Sequence, residues 1–208
     1  MSPEVEMGTH WDSVYRDRGT QEVSWFQPFP TVSLELIDAL ATPTTAGCID
    51  VGGGASLLVD QLVGRGWSDL TVLDLSQVAL DAARARVGPA AAVNWVCADV
   101  RYWHSPRRFQ LWHDRAVFHF LVEEADRRAY LSSLRSALEP GGAAIVATFA
   151  QDGPQACSGL PVVRYGEADL AAALAGQGMQ LLTSRHEEHT TPSGSVQPFS
   201  WVAARLPD

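Results

Sequence analysis

The chain of 208 residues contains no lysine; all 15 of its basic residues are arginine. Chemistry that runs through a lysine Schiff base is therefore excluded. Against 24 acidic residues the formal net charge is −9, and no arginine-rich block offers a local exception. A protein whose main work is gripping phosphates needs the opposite balance, so no nucleic-acid partner is expected. Cysteine is scarce: Cys48, Cys97 and Cys157 are the three present. An odd, unclustered set is no disulfide framework and points to a reducing compartment. No C-x-x-C or H-E-x-x-H spacing is present, so no metal is expected. No apolar run approaches the roughly 18 residues that cross a bilayer. MSPEVEMGTHWD has neither the basic nor the apolar region of a secretory signal. The expectation is a soluble, cytoplasmic protein with no membrane association, of unspecified oligomeric state.

What is present is ordinary globular material, 46% hydrophobic and 19% charged, enough for one sizeable core. From about residue 46, short apolar runs alternate with helical patterns, which predicts an α/β domain with a mostly parallel sheet. Predicted strands lie at 47–51, 70–75, 92–97, 109–114, 142–149, 179–185 and 197–205, and predicted helices at 55–63, 76–87, 123–138 and 167–174. Ser76 is placed as an N-cap. Pro140-Gly141-Gly142 is read as stopping one helix and opening the next strand. Between the last two strands lies only the turn-rich HEEHTTPSGS. A parallel pair needs a crossover, so these two should form an antiparallel hairpin. Residues 1–45 read as a helical cap bent at SWFQPFP, over a domain of residues 46–208.

The stretch CIDVGGGASLLVDQL, residues 48–62, carries the first chemical signal. A dinucleotide loop would read G-x-G-x-x-G, but Leu57 stands at the third glycine position of the frame Gly52-Gly53-Gly54. Asp50 sits at the strand tip, where it would repel a pyrophosphate. It would welcome a cofactor with an ammonium and no phosphate, and S-adenosylmethionine is such a molecule. The bland alternative is a tight strand–helix turn. Asp74, in TVLDLS, ends the second strand beside Leu75. Its two oxygens suit a ribose diol, a device that nicotinamide enzymes share. Asp99, in VCADVRYW, can accept from an adenine amine with the backbone of Val100 alongside, or can serve as a turn residue or N-cap.

With Asp50, Gly52, Gly54, Asp74 and Asp99 in this order, and with VLDLS, CADV and LEPGGAAI following DVGGGAS, residues 46–205 resemble a class I S-adenosylmethionine-dependent methyltransferase. The resemblance implies a Rossmann-like seven-stranded sheet of order 3-2-1-4-5-7-6, with strand seven antiparallel and helices on both faces. The N-terminal HWDSVYRDRGTQEVSWFQ is similar to the Trp-rich entrance of the thiopurine and tellurite-resistance type enzymes and their bacterial relatives. That similarity implies that Trp11, Tyr15, Trp25, Phe26 and Gln27 close over the methionine end of the cofactor. Aromatic faces stabilise a sulfonium by roughly 0.5–2 kcal/mol. Packing of these aromatics onto the sheet is the alternative.

The fourth strand ends in HDRAVFHF, with Asp114 assigned to the cofactor and Arg115 and His119 to catalysis. No D/N-P-P-Y/F pattern stands there, which argues against nucleobase amines as acceptors. Catalysis is also assigned to His189, in the loop with His186. The long segment TFAQDGPQACSGLPVVRYG, with Cys157, Arg164 and Tyr165, reads as a substrate lid. Arg115 and Arg164 would suit an anionic or carboxylate-bearing acceptor. His119 has a second reading as a packed core residue, and His186 and His189 as solvated loop residues. The function expected is methyl transfer to a small molecule bearing a thiol, amine or carboxylate. A protein side-chain methyltransferase and a non-catalytic S-adenosylmethionine-binding protein are the alternatives.

Overall fold

A computed structural model describes residues 3–208, with side chains from Glu6 onward. The sheet is built from β1 (Cys48–Val51), β2 (Leu70–Asp74), β3 (Val93–Cys97), β4 (Phe109–Arg115), β5 (Leu138–Phe149), β8 (Gln180–Thr190) and β9 (Val196–Arg205). Its order is β3-β2-β1-β4-β5-β9-β8. The first five strands are mutually parallel and β9 runs antiparallel to both β5 and β8. This is the order and the single reversed strand that the sequence implied. A further pair, β6 (Ala156–Cys157) and β7 (Leu160–Pro161), makes a separate small hairpin that the sequence did not announce.

The central strands are buried along most of their length because both faces are covered. On one face α2 (Thr31–Ala39), α3 (Leu58–Gly64) and α4 (Gln77–Val87) pack Leu34, Ile37, Leu58, Leu62 and Leu80 against Leu111, Ile145 and Trp201. On the other, α5 (Glu124–Ala137) and α6 (Glu167–Ala175) pack Tyr130, Leu134, Leu170 and Leu174 against Trp112, Val146 and Val202. The two sets of strand residues alternate, as a pleated strand requires. α2 is thus part of the core. The covering role falls to α1 (Pro3–Arg18) and the irregular segment 19–30.

Three boundaries differ from the sequence reading. Residues 55–57 are turn, not helix; the Ser56 hydroxyl accepts from the Leu58 N–H at 3.1 Å and the helix begins there. Pro140-Gly141-Gly142 lies inside β5, where the register against β4 shifts and Gly141 takes φ +73°. The first half of HEEHTTPSGS is strand, with β8 running to Thr190. The turn itself is closed by Thr191, whose N–H donates to the Ser195 carbonyl at 2.8 Å. The remaining limits agree within a residue or two, the scatter usual for element ends. Ser76 is the N-cap of α4, accepting from the Ala79 N–H at 3.1 Å.

Candidate active site

The C-terminal tips of the parallel strands, where such sheets place their sites, open on two adjoining cavities. The larger, of about 300 Å3, reaches from Asp74, Leu75, Asp99 and Val100 past Gly52 to Arg115 and Phe199. The smaller, of about 40 Å3, lies between Asp50, Gly52, Gly53 and Arg115 on one side and Trp25, Phe26 and Gln27 on the other. Tyr15, Trp25, Gly52 and Arg115 border both.

The glycine loop is required by closeness. A Cβ on Gly52, at φ +68°, would strike the Val117 side chain, and one on Gly53 would stand 2.5 Å from Asp50 Oδ2. Gly54, at φ +35°, lies against Asp74 and the Tyr15 hydroxyl. No side chain fits between these three groups, so the backbone itself forms the floor.

Asp50 on β1 pairs in register with His113 on β4. His113 Nδ1 and Asp50 Oδ1 share a 2.7 Å hydrogen bond, and His113 Nε2 stands 3.0 Å from the Ser33 hydroxyl of α2. Ser33 donating to Nε2 places the ring proton on Nδ1, toward the carboxylate. Asp50 Oδ2 is buried without a partner. Asp74 accepts from the Ser76 N–H at 2.8 Å. Burial pushes its carboxyl up to about 7, against the lowering effect of the Ser76 hydrogen bond and with a smaller raising effect from Asp50. Asp99 borders the larger cavity, but Arg101 encloses its carboxylate, with Nη2 at 2.5 Å and Nε at 3.0 Å. Arg101 also holds Asp126 at 2.8 Å. An adenine amine would have to share oxygens already engaged.

Arg115 borders both cavities. Its side chain is 9% accessible, its guanidinium lies 4.3 Å over the Phe199 ring, and its Nη1 donates to the Trp25 carbonyl at 2.9 Å. Nε and Nη2 are buried without hydrogen-bond partners; the nearest carboxylate, Glu187, is 4.0 Å from Nε. Burial lowers the guanidinium to about 10, partly offset by Glu187, and it stays charged at neutral pH.

The roof comes from the N-terminal segment. Tyr15 packs edge-on to Trp25 with ring centroids 6.0 Å apart. Trp11 packs edge-on to Trp25 and Phe120, at 5.7 and 5.0 Å, and borders the larger cavity. Asp12 accepts from the Ser76 hydroxyl at 2.7 Å and from the Val78 N–H at 3.2 Å, fastening α1 to the start of α4. Segment 24–27 is held at successive points: His189 Nε2 to the Ser24 carbonyl at 2.7 Å, Arg115 to that of Trp25, and Gln27 Nε2 to Glu187 Oε1 at 2.8 Å.

Three assignments need correction. Asp114 borders neither cavity. It alternates with His113 and Arg115 along β4 and so faces α5, where it accepts from Tyr130 at 2.5 Å and from the N–H groups of Val117 and Phe118. Its carboxyl is raised to about 6 by burial, offset first by the Tyr130 hydrogen bond. His119 is the packed core histidine. Nδ1 accepts from the Phe149 N–H at 3.1 Å, the ring lies against Phe120 and Phe149, and burial, then Arg115, depresses it to about 3. His189 borders neither cavity and serves as the clasp on Ser24. The residues that sequence reasoning missed are Ser33, His113, Arg101 and Glu187. Only His113 carried a signal, its place opposite Asp50 once β1 and β4 are aligned at their tips.

Residues 48–142 match the sequence model of a family described as a methyltransferase domain. Nodulation protein S of Rhizobium tropici is 31% identical over 107 residues, 51% of this chain; the match spans 44% of that relative's length. Among solved structures, N-methyltransferase NodS of Bradyrhizobium japonicum WM9, in complex with S-adenosylhomocysteine, superposes with a TM-score of 0.72 at 16% identity. It covers 95% of this chain and 100% of that one. A second is the 1,6-didemethyltoxoflavin-N1-methyltransferase of Burkholderia thailandensis, with bound 1,6-didemethyltoxoflavin and S-adenosylhomocysteine. It gives 0.71 at 20% identity, covering 100% and 92%. The glycopeptide N-methyltransferase MtfA gives 0.64 at 18%, covering 85% and 90%. The chain has the Rossmann-like methyltransferase fold.

Proposed function

We propose that the protein is an S-adenosylmethionine-dependent methyltransferase acting on a small-molecule acceptor. The observation that carries this reading is a pair of buried, oppositely charged groups with free valences at one cavity. Asp50 Oδ2 lacks a donor, and Arg115 Nε and Nη2 lack an acceptor. An α-amino acid end supplies both, its ammonium to Asp50 and its carboxylate to the arginine fork. Asp74 then takes the ribose hydroxyls, and Leu75 and Val100 flank the base. Asp99 contributes only as far as Arg101 shares it. When bound, the cofactor supplies a methyl group on a sulfonium.

The chain's own residues bind, orient and exclude water, which is where most of the rate of an in-line displacement can come from. Trp11, Tyr15 and Trp25 cover the sulfonium region, in keeping with the finer likeness to thiopurine and tellurite-resistance type enzymes. The similar structures described as a 1,6-didemethyltoxoflavin-N1-methyltransferase and a glycopeptide N-methyltransferase support a discrete organic acceptor.

Incubation with S-adenosylmethionine carrying a deuterated methyl, and a panel of small acceptors, tests the reading by mass spectrometry. Transfer of the labelled methyl to a small molecule is expected. Transfer only to protein substrates, or cofactor binding with no transfer to any class, would contradict it.

A further inference from the structure

Beyond Arg115 the larger cavity has a single chemistry. Val117, Phe120 and Leu121 wall it from the segment after β4, Phe149 and Phe199 from the sheet, and Leu160 from the small hairpin. Each titratable group facing it is committed elsewhere or is a poor base. Tyr15 packs edge-on to Trp25 at 6.0 Å, and burial lifts its phenol far above its ordinary range. Asp74 accepts from the Ser76 N–H and is taken up by the cofactor's ribose in the proposed reading. Asp99 and Asp126 share Arg101. Burial raises the Cys157 thiol, so it is protonated at neutral pH.

No histidine among the described residues borders the larger cavity. His113 bridges Asp50 and Ser33, His119 accepts from Phe149, and His189 donates to Ser24. Glu187, behind Arg115, accepts from Gln27 and from Trp201 at 2.8 Å each. Of the charged residues bordering the cavity among those described, Asp99 and Asp126 are paired with Arg101, and Arg115 stands over Phe199.

We infer that the acceptor is a largely apolar molecule whose nucleophile is an anion through its own acidity, and that no general base of the protein takes part. This rests on the methyltransferase reading. In the transfer, the methyl carbon–sulfur bond breaks and its electron pair stays on sulfur, while the nucleophile's pair forms the new bond to carbon. The positive sulfonium and the negative nucleophile become two neutral products, and no proton has to leave. A reaction in which opposite charges vanish is favoured by apolar walls over water. A protonated alkyl amine would instead place another cation beside the sulfonium, with no group to accept its proton.

The test uses the full chain at saturating S-adenosylmethionine, with ring-substituted phenols of graded acidity and benzylamines of matched size, from about pH 6 to about pH 9. For each phenol, kcat/KM should rise with pH and level off at that phenol's own pKa. Benzylamines should react at least roughly 100-fold more slowly, the usual worth of a missing base. A limb at one pH common to all phenols, or equal turnover of benzylamines, overturns the inference. So does failure of every phenol while calorimetry shows the cofactor bound. In Cys157→Ala the limb should keep its pH, and its disappearance would identify the thiolate as the base. Absence of cofactor binding would instead sink the methyltransferase reading itself.

Discussion

Asp50 and His113 face each other across β1 and β4 and share a 2.7 Å hydrogen bond that leaves Asp50 Oδ2 buried and unpartnered. The histidine, itself held by Ser33, fixes the carboxylate at the border of the smaller cavity. Asp50→Asn keeps an oxygen for His113 and turns an amide toward the ligand's ammonium. Cofactor affinity should fall about 10- to 100-fold, the worth of a charged hydrogen bond, with the fold intact by circular dichroism. Unchanged calorimetric affinity would move the ammonium elsewhere.

Arg115→Lys retains the charge and loses the fork formed by Nε and Nη2, a replacement that is not conservative at a bidentate site. Cofactor affinity should fall about tenfold. Equal affinity would mean that the fork meets no carboxylate.

Asp74 links stability to pH. Its folded pKa, about 7, lies above its ordinary value of 3.8. A raised carboxyl contributes stability that is fully present below the unfolded pKa and is lost as pH rises through the folded one. Asp74→Asn should therefore melt above the wild type at pH 8 in the absence of cofactor, by an amount on the order of a few kcal/mol. The advantage should vanish near pH 4. The same variant should bind the cofactor more weakly. Thermal melts across that range check the first claim and calorimetry the second. Equal melting at pH 8 would argue against a buried, charged Asp74.

Much of this was legible in the sequence, and the failures share one cause. The strand order came with the resemblance of the motifs to a methyltransferase, the reversed last strand follows from the missing crossover, and the closeness of the three glycines to their neighbours belongs to the loop itself. Asp114, His119 and His189 were misassigned because being near the site in sequence does not fix which way a side chain points. Along β4 the pleat sends His113 and Arg115 toward the N-terminal segment and Asp114 toward α5, so adjacent residues take unrelated roles. Arg101 closing on Asp99, and Glu187 reaching Gln27 160 residues away, are tertiary events with no local trace.

Tyr130 donates to Asp114 and accepts from Trp112 Nε1 at 3.1 Å. Tyr130→Phe strands both partners in a dry core and should cost about 1–3 kcal/mol in denaturant unfolding, with cofactor affinity unchanged. A loss of affinity without a loss of stability would return Asp114 to the site.

His119→Ala should lower stability by roughly 2–4 kcal/mol, as removal of a buried ring does, and leave the pH dependence of turnover where it was. A shifted pH limb would restore His119 as a base.

The most direct test of the account is a calorimetric titration of the wild-type chain with S-adenosylmethionine and S-adenosylhomocysteine, alongside NAD and NADP. The account predicts dissociation constants on the order of micromolar for the first pair, weakened in Asp50→Asn, and no heat from the dinucleotides. Binding of a dinucleotide with silence from the first pair would contradict it.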